Sequence, residues 1–177
     1  MSAIVDFYRG DAPDYLGRRL DDILAWNDVR LELIHNYIQV LFPLRDESFF
    51  NISAPLLDEE AAAAFRADEK LRANLARALE RMLNFYGLRY DEAAARVVRA
   101  EHFRMAAMNW LNPFNHNYRR ITRILKSVRA LGLEERAKAF FACLSEIYAE
   151  FGHEIGEETF AYWKAAVGEG PPPERFS

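Results

Sequence analysis

The sequence predicts an all-α protein, a compact single-domain bundle of seven or eight helices around a buried central helix at about 27–42. Three observations predict it. Apolar residues recur at helical spacing through most of the chain. No alternating strand pattern of useful length interrupts them. The stretch 27–44 (NDVRLELIHNYIQVLFPL) is apolar on two faces, with Leu31, Ile34, Ile38, Leu41 and Phe42 on one arc and Val29, Leu33 and Val40 opposite. A helix with two apolar faces has to be covered on both, with Asn27 as its cap and Pro43 as its stop.

Around this rod the other elements follow in order. Residues 1–13 read as an ordered but irregular arm anchored by Phe7 and Tyr8. Leu16, Leu20, Ile23 and Leu24 share the face of a first helix over about 14–26. After the rod, 44–57 is a loop punctuated by Asn51, Ser53 and Pro55, with Phe49, Phe50 and Ile52 expected to pack over the core. Asp58 caps an alanine-rich helix to about Ala67, and Leu71, Leu75, Leu79, Met82 and Tyr86 form the inward set of the next, ended by Gly87. Residues 88–98 fit either a helix start or a connection. A helix over 99–111 carries Phe103, Ala106, Ala107 and Trp110. Asn112-Pro113 then opens another there or at Asn115, with Ile121, Ile124, Leu125, Val128 and Leu131 inward. A helix with Phe140, Phe141, Leu144, Ile147 and Phe151 ends at Gly152, and a last helix covers about 157–167. Residues 1–170 form the domain and 171–177 a flexible C-terminal tail.

Composition narrows the function classes. The 177 residues, 51% hydrophobic and 28% charged, suit one globular domain. A net charge of −4 disfavours a generally basic nucleic-acid binder. One cysteine, Cys143, allows no intrachain disulfide and no cysteine-rich metal site. No apolar run reaches the ~20 residues of a membrane span, and Asp6 stands where a secretion signal would be apolar or basic. A cytoplasmic protein is expected.

Two stretches carry a resemblance. The first is WNDVRLELIHNYIQVLFPL from Trp26, with FNISAPLL following. The second is NWLNPFNHNYRRITRILKSVRALGL from Asn109. With FYRG at 7–10 and MLNFYGLR at 82–89, their order and spacing resemble the conserved domain of opioid growth factor receptors across most of 7–133. The resemblance implies a soluble binding protein. Animal members are nuclear proteins that bind an enkephalin pentapeptide, restrain proliferation, and carry long regions after this domain. The resemblance implies no catalytic residue, and the chain is expected to be a small stand-alone member. Arg119 stands where the family pattern leads one to expect an apolar residue, so that turn is expected to be exposed.

The candidate ligand-binding residues are His35, Trp110, His116, Asn117, Arg119, Arg120, Arg123 and Lys126. On the helix after Pro113, Arg119, Arg123 and Lys126 fall opposite the apolar face, with His116, Arg120 and Ser127 along one flank. Arginines this near a helix start oppose its dipole. Either a ligand anion sits at 113–120, held by free N–H groups and guanidinium forks, or the protein's own carboxylates neutralise them. The second reading is favoured, because 27 acidic residues are available. His35, with Asn36, Tyr37 and Gln39 nearby, is either a pocket group or a satisfied core histidine. Spacing alone does not bring it to His116. Trp26, Trp110 and Trp163 are read first as core plugs and second as stacking platforms. No histidine spacing suggests a metal, no cofactor motif is visible, and Cys143 is read as packing. The leading function is a non-enzymatic interaction module accepting a short peptide or protein segment in a groove between helices. Nucleic-acid or other anion binding through 113–131 is the alternative, and an enzyme using His35 or His116 has nothing positive behind it. The sequence carries no signal of oligomeric state.

Overall fold

The computed structural model describes residues 2–46 and 51–174. Among them are ten helices and one two-stranded hairpin, so the all-α expectation holds with more, shorter pieces than expected. Phe49 and Phe50, and the end of the tail, lie outside the described residues.

The N-terminal arm is a helix rather than irregular. α1 (Ala3–Arg9) buries Ile4, Val5, Phe7 and Tyr8 and ends at Gly10 in the left-handed region. So short a helix exists by packing, not by propensity. The Tyr8 hydroxyl donates to the Leu41 carbonyl across the core, so the anchors are the expected ones.

The first predicted helix shrinks to α2 (Leu20–Leu24). Asp14 Oδ1 accepts the N–H groups of Leu16 and Arg18, and its carboxylate pairs with the Arg18 guanidinium. A side chain that satisfies the backbone locally competes with the helix, and the segment before Leu20 becomes a turn.

The central rod is overturned. It is two short helices, α3 (Asp28–Leu33) and α4 (Ile38–Leu41), separated by an elbow in which Ile34 is extended (φ −90°, ψ 131°). Asn27 caps α3 as expected, its side chain accepting the Arg30 N–H at 2.9 Å. The elbow breaks the 100° phase, so the two apolar arcs do not continue through it. Leu31, Ile38, Val40, Leu41 and Phe42 are buried, whereas Val29 is 66% exposed and Leu33 70%. After it, Ile52 is exposed rather than packed over the core, and among the described residues of that connection Asn51 and Leu57 are the buried ones.

α5 (Glu59–Ala67) and α6 (Glu69–Phe85) start where the sequence places them, capped by Asp58 and Asp68. The ambiguous stretch forms β1 (Leu88–Asp91) and β2 (Arg96–Arg99), antiparallel, with Leu88 opposite Arg99. Asp91 Oδ1 accepts from the N–H groups of Ala93 and Ala94 and shapes the turn. The strands are too short for alternation to register in the sequence.

α7 (Phe103–Trp110), α8 (Asn117–Ala130), α9 (Glu134–Ile155) and α10 (Glu157–Ala166) complete the chain. α9 runs past its expected stop, but Phe151 is non-helical (φ −118°, ψ 27°), so the axis kinks beside Gly152. α8 packs on α9 and α10, and the hairpin lies on α6 and α9. One apolar cluster links all of these elements. No helix among the described residues is long and apolar enough to cross a membrane.

Candidate functional site

The two motif stretches meet where the start of α8 docks on the elbow between α3 and α4. The last carbonyls of a helix have no intrahelical donor, and here a side chain supplies one. Arg120, buried, donates from Nη1 to the Leu31 carbonyl at 3.0 Å and from Nη2 to the Ile34 carbonyl at 3.0 Å. Its Nη2 also reaches His35 Nδ1 at 3.1 Å. The elbow and the buried guanidinium therefore explain each other. Helical carbonyls here would be unavailable to Arg120, and a guanidinium without them would be buried unsatisfied.

Glu32 supplies the countercharge. Its Oε2 lies 3.8 Å from Arg120 Nη1 and accepts from Asn117 Nδ2 at 3.1 Å, while its Oε1 lies 3.0 Å from His116 Nε2. Asn117, fully buried, also receives the Tyr86 hydroxyl at 3.4 Å. Burial pushes the Tyr37 phenol up to about 12 and holds Tyr86 well above the usual tyrosine value. Both stay neutral donors, and the Tyr37 hydroxyl bonds the Leu31 carbonyl at 3.0 Å.

The two imidazoles meet edge to face, with ring centroids 5.4 Å apart. His35 Nδ1 accepts from Arg120, so its proton sits on Nε2, the outer nitrogen. Partial burial, then the Arg120 charge and His116, hold its pKa below the usual histidine value. His116 turns Nε2 to the carboxylate. Both rings remain exposed at the surface.

Four of the eight sequence candidates thus come together: His35, His116, Asn117 and Arg120. Trp110 lies beneath them as a core plug, fully buried, its Nε1 donating to the Tyr86 carbonyl at 3.1 Å. Arg119 is exposed, but the turn around it is not, since Asn117, Tyr118 and Arg120 are buried. Arg123 is half-buried, and burial lowers its pKa to about 10. Lys126 lines a different open cleft of about 480 Å³ with Arg66, Arg129 and Glu134. The expected basic stripe is therefore not one surface. Arg120 and Ser127, read as its flank, are buried, and the Ser127 hydroxyl donates to the Pro43 carbonyl at 2.8 Å. Cys143 is buried packing, and burial pushes its thiol up to about 11.

Sequence reasoning missed Glu32 and Phe114. A carboxylate between Leu31 and Leu33 in an otherwise apolar stretch was the available signal for the first. Phe114 is 100% exposed and holds φ 60°, on the turn between α7 and α8. Asn115 fixes that turn by donating to the Asn109 carbonyl and to Asn112 Oδ1, both at 3.0 Å. Phe114 stands two residues before His116 in the chain and Leu33 two before His35, and both apolar side chains are exposed.

The residues of this cluster lie inside a family match. The model of the opioid growth factor receptor conserved region matches residues 12–167. The chain belongs to that family. The rat opioid growth factor receptor is 44% identical over 122 residues, 67% of this chain and 21% of the rat protein. The human receptor is 41% identical over 137 residues, 73% of this chain and 20% of its own length. A mouse opioid growth factor receptor-like protein 1 is 38% identical over 105 residues, 59% of this chain and 22% of the mouse protein. The chain thus spans about a fifth of the length of these relatives. No solved structure matches.

Proposed function

We propose that this chain is a non-enzymatic interaction module that receives a short peptide or protein segment on the face formed by Leu33, His35, Phe114 and His116. The observation that carries the reading is Phe114. A fully exposed phenylalanine in left-handed backbone is unfavourable twice, in apolar hydration and by roughly 1–2 kcal/mol of backbone strain. Such an outlier points to function when the surroundings hold it rigid, and the Asn115 bonds do so. Beside the imidazole pair, Arg120, Glu32 and Asn117 satisfy one another, so that part of the face is preorganised without any ligand. Large apolar groups around polar ring nitrogens suit a segment that brings one apolar side chain and a hydrogen-bonding backbone. The relatives are named as receptors for a growth factor, in line with a peptide-sized partner.

No observation favours phosphate binding through α8, since the arginine that would lead it is engaged with carbonyls. An imidazole beside a carboxylate is present at His116 and Glu32, but on an open face rather than in a deep pocket, which is no basis for a reaction. Cytoplasmic residence is part of the same proposal.

Calorimetry of the full chain with the enkephalin pentapeptide and with a random peptide library tests the reading. Binding should weaken at least tenfold in Leu33→Ser and in Phe114→Asn, with the circular dichroism spectrum unchanged. Peptides that bind both variants as well as the parent remove this face from the account.

A further inference from the structure

A second surface lies away from the imidazole pair, where α7 passes the kink of α9. Phe103, Ala107, Met108, Leu111 and Phe151 line an open cleft of about 470 Å³, within the ~300–1,000 Å³ range of binding clefts. The kink makes it, because the non-helical Phe151 carries the last turn of α9 out of line. Gly87 holds the other wall close. It sits at φ 76°, and a Cβ there would lie 2.6 Å from the Phe103 Cα.

The rim carries three charges of unequal standing. Arg99 is committed twice, to Glu150 at 2.7 Å and over the Phe103 ring at 4.6 Å. Glu150 is thereby matched. Arg104 has no hydrogen bond or ion pair with any described residue, and it borders the same cleft. On a chain of net charge −4, an unmatched cation beside an apolar floor is a local reversal of sign. A group completing this surface brings hydrocarbon for the floor and negative charge for Arg104. Its extent says what kind of group. Met105 and Met108 are 74% and 79% exposed, so the apolar surface continues past the cleft along both turns of α7, about 12 Å of helix. That span matches about two turns of a docked helix, with anchors spaced i, i+3 and i+4. Methionine is the side chain that adapts best to such a partner.

We infer that the α7–α9 cleft docks an amphipathic helical segment of a partner protein, with a large apolar residue over Met108 and Phe151 and a carboxylate against Arg104. This surface does not depend on the Phe114 face.

The test is a titration of the isotopically labelled full chain, read by amide chemical shifts, with three probes. The first is a synthetic helix of about 14 residues with leucines on one face and glutamates beside them. The second is its lysine twin, and the third is oleate. The acidic helix should shift residues 103–111 and 148–153 and bind about threefold or more tighter than the lysine twin. Arg104→Glu should reverse that order, Met108→Asp should remove the shifts, and Phe114→Asn should leave them in place. Equal affinity of the twins, indifference to Arg104→Glu, or shifts centred on His116 would overturn the inference. So would a response to oleate alone, which would make the cleft a lipid site, or shifts that appear with protein concentration and no peptide, which would make it a self-association surface.

Discussion

At the start of α8, Arg120 and Asn117 find partners at every turn: three carbonyls, a carboxylate, an imidazole and a phenol. Beside α7 the floor is hydrocarbon, and Arg104 has no partner among the described residues. The first region is rigid because its polar groups answer one another within the chain. The second keeps its shape through backbone, a kink on one side and a glycine contact on the other, and leaves its chemistry unanswered. Internal polar satisfaction makes a platform for a ligand, whereas an unmatched charge on apolar ground asks for a partner.

The largest expected effect breaks the first region. Arg120→Leu leaves the Ile34 carbonyl without its donor, leaves the Leu31 carbonyl only the Tyr37 hydroxyl, and takes the guanidinium from Glu32. Removing one member of a buried ionic network costs about 3–5 kcal/mol, which lowers Tm by roughly 6–20 °C at this chain length. Arg120→Lys should recover little, because an ammonium cannot span three carbonyls. Calorimetric unfolding within about 1 kcal/mol of the parent would mean that the elbow stands without the guanidinium.

Gly87→Ala is the matching blow to the second region. The added methyl meets backbone at 2.6 Å and the Ala106 methyl at 2.9 Å, at a φ that alanine disfavours. A loss of about 2–4 kcal/mol is expected from overpacking and strain together. Urea denaturation gives the size. Amide shifts concentrated at 99–111, with the 31–37 segment unmoved, would show that the two regions are built independently.

Phe114→Asn sharpens the contrast from the other side. Asparagine tolerates left-handed backbone and water, so stability should rise by about 0.5–1 kcal/mol while peptide binding falls. A stability gain without a binding loss would leave the exposed ring with no purpose on this face.

How much of this could be read beforehand divides along the same line. α5 and α6 were legible to within a residue or two, because Asp58 and Asp68 cap them and Leu71, Leu75, Leu79 and Met82 keep one phase throughout. The elbow was not, because its cause is Arg120, remote in sequence, and Leu33 continues the apolar arc as though nothing interrupted it. For the same reason His35 and His116 were each singled out, yet not as neighbours. The hairpin escaped because four-residue strands hold too few residues for alternation to register, and its turn rests on Asp91 and on Ala95 at φ 49°. Glu32 was hidden by its context, a single acid in a leucine-rich run. Helical periodicity reports which side is buried only while the helix lasts.

The smallest expected effect concerns the proton on His35. Its folded pKa lies below the ordinary value because partial burial, Arg120 and His116 all disfavour the charged ring. The unfolded chain therefore binds more protons than the folded one around pH 6, and stability rises with pH through that window. The contribution is complete above about pH 6.5, the unfolded value, and fades as pH falls toward the folded one. Facing the ring are Arg120 from α8, His116 at the cap just before it, and Glu32 from α3. Only Glu32 opposes the shift. His35→Gln keeps an acceptor for Arg120 and has nothing to titrate, so its Tm should fall less than the parent's between pH 7.5 and 5.5. Equal slopes would mean that the ring moves off Arg120 before it charges. The polar platform would then be looser at its outer edge than at Asn117, which is fully buried.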